Sequence, residues 1–341
     1  MQNKLLELKQ ALDGELLTDE SSLTIYSTDA SLYFDRPLAV AVPKNEKDLE
    51  KLIAFASANN IPLTPRAAGT SLAGQATGSG IIVDISKHFR KILKLNTRER
   101  FVIVQPGVVR DELNKFLEPY GLMFCPETST SNRCMIGGMI GNNSCGEHSL
   151  IYGSTRDHLI SVKCLLSDGS KAEFAQMSKA EFEEKCIGDS LESRIYCKLK
   201  ETLENTDIAS EIHANYPEAG IRRRNMGYAL DVLLDSELFT ASSKEDFNPA
   251  KLICGSEGTL AFITEAKLKL VPLPKQKSAM LCVHLDTLEQ AFHANLIALQ
   301  YQPTSIELID EVIISLTKDN LSQQQNRFFV QGEPGAILII E

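Results

Sequence analysis

The apolar and polar positions of the first hundred residues fall into short blocks that predict both helices and strands. Leu5, Leu8 and Leu12 recur at helical spacing, and Leu49 and Leu52 share one face of a second amphipathic segment. The pattern predicts helices over residues 2–14 and 44–60 and strands over residues 38–43 and 61–66. A strand, a helix and a strand in this order imply a β-α-β unit with two parallel strands and a right-handed crossover.

The pattern continues along the chain and then restarts after Pro272. Alternating apolar and polar positions from Phe262 to Leu270 predict a half-buried strand within residues 261–272. Further strands are predicted over residues 80–86, 90–95, 101–107 and 160–170, and further helices over 108–118 and 178–213. The restart predicts a strand (278–285), a helix (287–300) and two strands (304–310 and 336–341).

This restart also predicts a domain boundary near residue 273, after two closely spaced prolines. Its β-α-β-β order is the opening of a ferredoxin-like layer. We therefore expect a lead-in over residues 1–37, a large α/β unit over 38–272 and the beginning of a second domain over 273–341. Because the sequence stops within the apolar run GAILIIE, we expect the polypeptide to continue beyond Glu341.

Composition narrows the class of protein. Among 341 residues, 35 are basic and 45 are acidic, for a net charge of -10, and 43% are hydrophobic. These values are typical of a globular chain that buries a sizeable core. An acidic chain repels phosphate backbones, so no nucleic-acid partner is expected. The one tight basic cluster, Arg222 to Arg224, is too short for a groove-tracking surface.

Neither a membrane span nor a metal site is predicted. No stretch reaches the ~18 consecutive apolar residues that a span needs, and the N-terminus lacks the apolar core of a signal peptide. This pattern favours a cytoplasmic protein. The eight cysteines form no C-x-x-C pair, so we expect reduced thiols and no metal ligand set.

Three loops rich in small residues carry the candidate chemistry. They span residues 65–75, 126–146 and 255–260, and are called the first, second and third loop below. The G-x-x-x-x-G-K-[ST] and G-x-G-x-x-G motifs are absent, which excludes P-loop and Rossmann sites. Small side chains let consecutive backbone N–H groups approach an anion, so two such loops together can hold a pyrophosphate with neutral donors. The alternative is three surface turns without a shared ligand.

The order and wording of these segments resemble a flavoprotein superfamily. The anchors, between about Ala39 and Pro272, are PRAAGTSLAGQ, IIVDIS, PETSTSNRCMIGGMIGNNSCG, HSLIYGSTRDHLISVKCLLSDG, RRNMGYALDVLL and GSEGTLAFITEAKLKL. The set resembles the FAD-binding domain of the vanillyl-alcohol oxidase and p-cresol methylhydroxylase (PCMH) type. It is most similar to the D-2-hydroxy-acid dehydrogenase branch, which includes D-lactate dehydrogenase, glycolate oxidase and D-2-hydroxyglutarate dehydrogenase. The segment NNSCGEHSLIYG is similar to the same segment of the long family members that carry an iron–sulfur module.

The resemblance implies a fold and a cofactor. The implied fold class is α+β, with a two-subdomain PCMH-type FAD-binding domain over residues 38–272 and the start of a ferredoxin-like cap over 273–341. Some relatives attach flavin through a histidine of the first loop, where this chain has Thr70, so non-covalent FAD is predicted. Ala67, Ala68 and Ala261 stand where glycines are common in the family, which a negative φ tolerates.

Residues of all three loops are implied to bind FAD. In the first loop these are Arg66, Ala67, Ala68, Gly69, Thr70, Ser71, Leu72, Gly74 and Gln75. In and after the second loop they are Pro126, Glu127, Ser131, Asn132, Gly137, Gly138, Gly141, Asn142, Asn143, Cys145, Gly146, Tyr152 and Gly153. In and after the third loop they are Glu257, Gly258, Thr259, Leu260 and Ile263.

The implied reaction is oxidation of a D-2-hydroxy acid such as D-lactate, glycolate or D-2-hydroxyglutarate. The C2 hydride passes to flavin N5, a base takes the hydroxyl proton, and a cation or metal holds the carboxylate. His148 follows the second loop and is the candidate catalytic residue, with a structural hydrogen bond as the alternative. Arg224 and Tyr228 are candidate substrate-binding residues, with a solvated basic face and core packing as their alternatives.

Three functions remain open at this point. The first is an FAD-dependent dehydrogenase that passes electrons to an iron–sulfur module, a quinone or another flavoprotein rather than to NAD. The second is a flavin-binding module that is inactive without a missing cap or a partner chain. The third is an NADPH-dependent reductase of the same fold. The resembled dehydrogenases take their substrate and metal histidines from the cap, so these are expected beyond residue 341.

Overall fold

The computed structural model describes residues 1–218, 220–221, 223–224, 227–274 and 277–341, which leaves Arg222 of the basic cluster outside the described residues. These residues form a mixed helix-and-sheet fold, as predicted. The strands are β1 (Glu15–Leu17), β2 (Ala39–Val42), β3 (Leu63–Arg66), β4 (Ile81–Asp84), β5 (Ile92–Asn96), β6 (Phe101–Val104), β7 (Leu122–Met123), β8 (Leu159–Leu165), β9 (Lys171–Ala175), β10 (Phe262–Lys269), β11 (Val271–Pro272), β12 (Leu281–Leu285), β13 (Ile306–Asp310) and β14 (Ala336–Ile340).

The helices are mostly short and many of them begin at a polar cap. They are α1 (Gln2–Ala11), α2 (Glu20–Tyr26), α3 (Glu46–Asn59), α4 (Arg110–Leu117), α5 (Ile136–Asn142), α6 (Ser149–Tyr152), α7 (Thr155–His158), α8 (Lys179–Lys185), α9 (Leu191–Glu204), α10 (Thr206–Asn215), α11 (Leu230–Leu234), α12 (Ala250–Ile253), α13 (Leu288–Leu299), α14 (Glu311–Leu316) and α15 (Leu321–Gln324). Within the described ranges, no helix combines the length and the apolar character that crossing a bilayer requires.

The first sheet contains the β-α-β unit predicted near the N-terminus. Its order is β1-β2-β4-β3, with β2, β4 and β3 parallel and β1 antiparallel at one edge. The strands β2 and β3 are therefore parallel, as predicted, but β4 lies between them. Every residue of β2 and β4 is buried, because leucines of α1 and α3 pack on one face of the sheet and Leu23 of α2 packs with Val40 and Ile82 on the other.

The second sheet is antiparallel throughout, in the order β5-β6-β10-β8-β9. Buried positions alternate along β10 as its sequence predicts, whereas β9 was not predicted. Three helices, α8 to α10, replace the single helical stretch predicted over residues 178–213. Gly188 has a φ of 110°, and Ser190 and Asn205 cap new helices, so the stretch breaks at these residues.

The third sheet lies in the part of the chain after Pro272. Its order is β12-β14-β13, with β14 antiparallel to both neighbours, so β12 and β13 run parallel on either side. This is the split β-α-β arrangement expected at the start of a ferredoxin-like layer. Ala291 of α13 packs against Ala336 and Leu338 of β14. Helices α14 and α15, capped by Asp310 and Asn320, were not predicted. The boundary at residue 273 stays a prediction.

Candidate functional site

The three small-residue loops converge on one another. The backbone N–H of Glu257 in the third loop donates to Gly141 O in the second, over 2.9 Å. Gly258 has a φ of 77°, and a Cβ there would lie 2.5 Å from Pro65 Cγ at the start of the first loop. Gln75 Nε2 of the first loop donates to Glu257 Oε1 over 3.3 Å. The three loops are therefore neighbours in space, as a shared ligand requires.

Arg66 holds the shape of the first loop. Its Nη1 donates to Thr28 O over 2.8 Å and to Ala76 O over 3.1 Å, and its guanidinium lies 5.1 Å from the centre of the Tyr26 ring. Gly69 has a φ of 65°, and a Cβ there would lie 2.7 Å from Arg66 Nη2. The loop thus wraps around the arginine, and only glycine fits at position 69.

The second loop presents backbone to the space between the loops. Its helix α5 contains Gly137, Gly138 and Gly141. A Cβ on Gly138 would meet Ala67 Cβ at an ordinary 3.5 Å, and one on Gly141 would lie 3.7 Å from Glu257 Cα. Gly138 and Gly141 therefore leave room for a ligand to lie against the helix backbone, whereas Gly137 lets α5 pack against Pro106.

Arg156 was not predicted as a site residue, yet it ties the second loop to the third. Its buried guanidinium donates to Cys254 O over 2.6 Å, to Gly227 O over 3.1 Å and to Lys251 O over 3.2 Å. Its backbone N–H donates to Asn143 Oδ1 over 2.9 Å. The available signal was its place inside the motif HSLIYGSTRDHLISVKCLLSDG. Asn143, a predicted FAD residue, is itself buried and braces this junction.

The loops enclose a cleft of about 990 Å³. This volume lies at the upper end of the range for ligand pockets and suits a dinucleotide. Most of the predicted FAD residues line it: Arg66, Ala67, Ala68, Gly69, Thr70, Ser71, Leu72, Gln75, Glu127, Ser131, Gly137, Gly138, Gly141, Asn142, Cys145, Gly146, Glu257, Gly258 and Ile263.

The other predicted FAD residues stand outside the lining of the cleft. They are Gly74, Pro126, Asn132, Asn143, Tyr152, Gly153, Thr259 and Leu260. Asn132 lines a second depression together with Tyr26 and Arg90. Gly74, with a φ of 79°, packs against the Tyr33 ring. These residues shape the surroundings of the cleft.

The hydrogen-bonding groups of the cleft fit FAD. Gln75 Oε1 is buried and accepts no hydrogen bond from the described part of the chain. A buried acceptor without a donor is costly, so a ligand that donates to it would stabilise the site. Thr70 and Ser71, whose hydroxyl groups can donate, line the same cleft, whereas the hydroxyl of Ser131 donates to Asp111 Oδ2 over 2.9 Å. Such neutral donors can hold a pyrophosphate in a chain of net charge -10.

His148 contacts the wall of the cleft without lining it. Its Nδ1 lies 2.5 Å from Oε1 of Glu127, a lining residue, and its Nε2 lies 2.8 Å from Glu341 Oε2. Burial opposes a charge on this ring, but hydrogen bonds to Glu341 and Glu127 outweigh it and raise the pKa of His148. The ring is therefore biased towards its protonated form.

Of the two predicted substrate-binding residues, neither lines the cleft. Arg224 Nη1 lies 2.5 Å from Asp231 Oδ2 in an ion pair, and the hydroxyl groups of Tyr228 and Thr259 share a hydrogen bond of 2.7 Å. Arg223, the neighbour of Arg224, is exposed and does line the cleft. Among the described arginines of this segment, Arg223 is thus the one that faces the cleft.

Cys125 and His158 form a buried pair that lacks an activated nucleophile. Cys125 Sγ lies 3.2 Å from His158 Nε2, which also donates to Tyr152 O over 2.7 Å. Burial raises the pKa of Cys125 to about 12 and lowers the pKa of His158. A thiol beside a neutral imidazole results near pH 7, which is a structural pair.

Comparisons with known proteins agree with the geometry of the cleft. A family described as FAD binding domain matches residues 37–174. D-2-hydroxyglutarate dehydrogenase of Pantoea ananatis (strain AJ13355) is 33% identical over 329 residues, which cover 95% of this chain and 31% of that protein. Glycolate oxidase subunit GlcD of Bacillus subtilis (strain 168) is 27% identical over 300 residues, 86% of this chain and 50% of that protein. The resemblance to the PCMH-type FAD-binding domain and to the D-2-hydroxy-acid dehydrogenase branch is confirmed, and so is FAD as the cofactor.

The chain spans about a third of the length of the D-2-hydroxyglutarate dehydrogenases that it matches, 31% and 30% for two of them. A solved structure of alkyldihydroxyacetonephosphate synthase matches with a TM-score of 0.64 and 18% identity, over 100% of this chain and 56% of that one. At this identity the likeness concerns the fold alone, and it confirms the predicted fold class.

Proposed function

We propose that this chain, which belongs to the FAD-binding flavoproteins of the D-2-hydroxy-acid dehydrogenase branch, binds FAD non-covalently and serves the oxidation of a D-2-hydroxy acid. One observation carries the proposal: three loops meet around a single cleft that contains the buried acceptor Gln75 Oε1 and the cation Arg223. FAD, when bound, supplies the acceptor for the hydride that leaves C2 of the substrate. Electrons then pass to an acceptor other than NAD, such as an iron–sulfur module, a quinone or another flavoprotein.

Anaerobic mixing with hydroxy acids tests the reaction. Bleaching of bound flavin by D-lactate, glycolate or D-2-hydroxyglutarate, but not by L-lactate or L-2-hydroxyglutarate, is the expected result for the whole protein. Flavin that stays oxidised with every acid would support a binding module completed by a further segment or partner. Bleaching by NADPH alone would replace the dehydrogenase with a reductase.

FAD is expected to leave the protein on acid precipitation. Thr70 occupies the position of the histidine that attaches flavin in some relatives, and no histidine is among the described residues that line the cleft. Precipitation with trichloroacetic acid should therefore move the flavin absorbance into the supernatant. Flavin fluorescence that remains with the protein on a denaturing gel would contradict non-covalent binding.

Arg223→Ala is expected to weaken hydroxy-acid binding by about tenfold or more, because a guanidinium binds a carboxylate through two charge-assisted hydrogen bonds. Binding is measured as the change in flavin absorbance of the FAD-loaded protein on titration with D-2-hydroxyglutarate. Arg98→Ala, which removes an exposed arginine outside the cleft, is the matched control. Equal affinities in Arg223→Ala and Arg98→Ala would remove Arg223 from the substrate site.

A further inference from the structure

The imidazole of His148 has a carboxylate at each ring nitrogen. Glu127 Oε1 lies 2.5 Å from Nδ1, and Glu341 Oε2 lies 2.8 Å from Nε2. A neutral imidazole carries one N–H and donates to one carboxylate, whereas an imidazolium donates from both nitrogens. Ionised carboxylates only accept, so this arrangement requires a protonated ring.

The two carboxylates belong to different parts of the fold. Glu127 lies in the second loop and lines the cleft, whereas Glu341 directly follows β14, the central strand of the third sheet. The side chains of His148, Glu127 and Glu341 are 26%, 23% and 24% exposed, so water screens their attraction only in part. Glu307, on β13 of the same sheet, lines the cleft. A contact at His148 therefore sets how the third sheet sits over the cleft.

We propose that protonated His148 is a positioning residue that fastens the third sheet to the second loop and so limits access to the cleft. While both ring nitrogens donate, the ring cannot take a proton from a substrate hydroxyl. The catalytic role predicted for His148 is thus replaced by that of an imidazolium clasp, the contact of the protonated ring with both Glu127 and Glu341.

The charged groups around His148 determine the pH range in which the clasp forms. Glu147 Oε1 lies 3.7 Å from Nδ1 and adds to the negative field, whereas Arg110 Nη2 lies 3.8 Å from Glu127 Oε2 and opposes it. The pKa of His148 is raised above 6.5, so the clasp is complete below that pH and is lost as pH rises through the raised pKa. The pKa of Glu341 is lowered from 4.5 by His148, so acid opens the clasp only as pH falls through that lowered pKa.

A double-mutant cycle with His148→Gln and Glu341→Gln tests the contact. At about pH 6, coupling between the two positions should change the unfolding equilibrium constant in urea by about fivefold. At about pH 9, where the neutral ring donates to only one of the two carboxylates, the coupling should fall. His213→Gln and Asp235→Asn form the matched control cycle, because this exposed pair is 4.0 Å apart. We expect no coupling in the control at either pH. Coupling at His148 that is absent at pH 6, or that does not fall from pH 6 to pH 9, would overturn the proposal.

Acrylamide quenching of flavin fluorescence in the FAD-loaded protein tests access to the cleft. The quenching constant of the wild type should rise about twofold from pH 6 to pH 9, and that of His148→Gln should be high at both. His148→Lys keeps its charge up to about pH 10 and should stay low at both. Equal quenching in the wild type and His148→Gln at pH 6 would contradict the clasp. If His148→Gln then also slowed flavin reduction by about 100-fold, the result would support a catalytic role as general base instead.

Discussion

Arg156→Ala is expected to lower the free energy of unfolding by about 3 kcal/mol and to abolish stable FAD binding. The Arg156 side chain donates to the carbonyls of Cys254, Gly227 and Lys251, and the residue is 7% exposed. Its loss removes the donor of the buried Cys254 carbonyl, an unsatisfied buried group that costs about 1–3 kcal/mol, and two further bonds to the more exposed Lys251 and Gly227. The bonds to Lys251 and Cys254 hold the segment before the third loop against α7, which follows the second loop, so the cleft should lose its shape.

Urea unfolding measures the first effect, and flavin absorbance retained after gel filtration measures the second. Arg156→Lys keeps the charge but replaces the planar fork by a single ammonium group, so we expect an intermediate loss. Arg98→Ala controls for removal of an arginine outside the cleft. An Arg156→Ala protein that unfolds at the urea concentration of the wild type would mean that the three carbonyls have other donors.

The sequence predicted a helix or strand correctly where its buried positions recur at a constant spacing. The apolar strand β2 and the amphipathic helix α3 lie within a few residues of their predicted bounds. In contrast, β9 consists of Lys171–Ala175, where lysine, glutamate and alanine favour helices in isolation. Its strand conformation comes from pairing with β8, and such pairing overrides local preference. The position of β4 between β2 and β3 is likewise a tertiary property.

The candidate site was predictable as a set of loops but not as a set of contacts. Small residues mark loops directly, and most of the predicted residues line one cleft. Which of two adjacent arginines faces that cleft depends on Asp231, which pairs with Arg224 and leaves Arg223 exposed. The partners of Arg156 are backbone carbonyls, which every residue possesses, so they could not be predicted from the residue types in the sequence. His148 depends on a carboxylate 193 residues away.

Gly138→Leu is expected to raise the dissociation constant of FAD by about 100-fold, or about 2.7 kcal/mol, without unfolding the protein. Gly138 lies on α5 and lines the cleft, and a Cβ there would meet Ala67 Cβ at 3.5 Å, an ordinary contact. The first carbon is therefore accommodated, but the rest of a leucine side chain must occupy the space between the first and second loops. That space is where the proposed cofactor lies against the helix backbone.

A variant that binds FAD more weakly but is at least as stable shows that Gly138 lies next to the cofactor, because a packing defect would lower both affinity and stability. Leucine favours a helix over glycine by about 0.8 kcal/mol, so the urea midpoint of the apoprotein should hold or rise while FAD affinity falls. Titration calorimetry of the apoprotein with FAD measures the affinity, and Gly138→Ala should lie between the wild type and Gly138→Leu. Ala58→Leu, at an exposed position of α3 outside the cleft, should bind FAD like the wild type. Wild-type affinity in Gly138→Leu would show that FAD does not lie against α5, because a leucine side chain and a cofactor cannot fill the same volume.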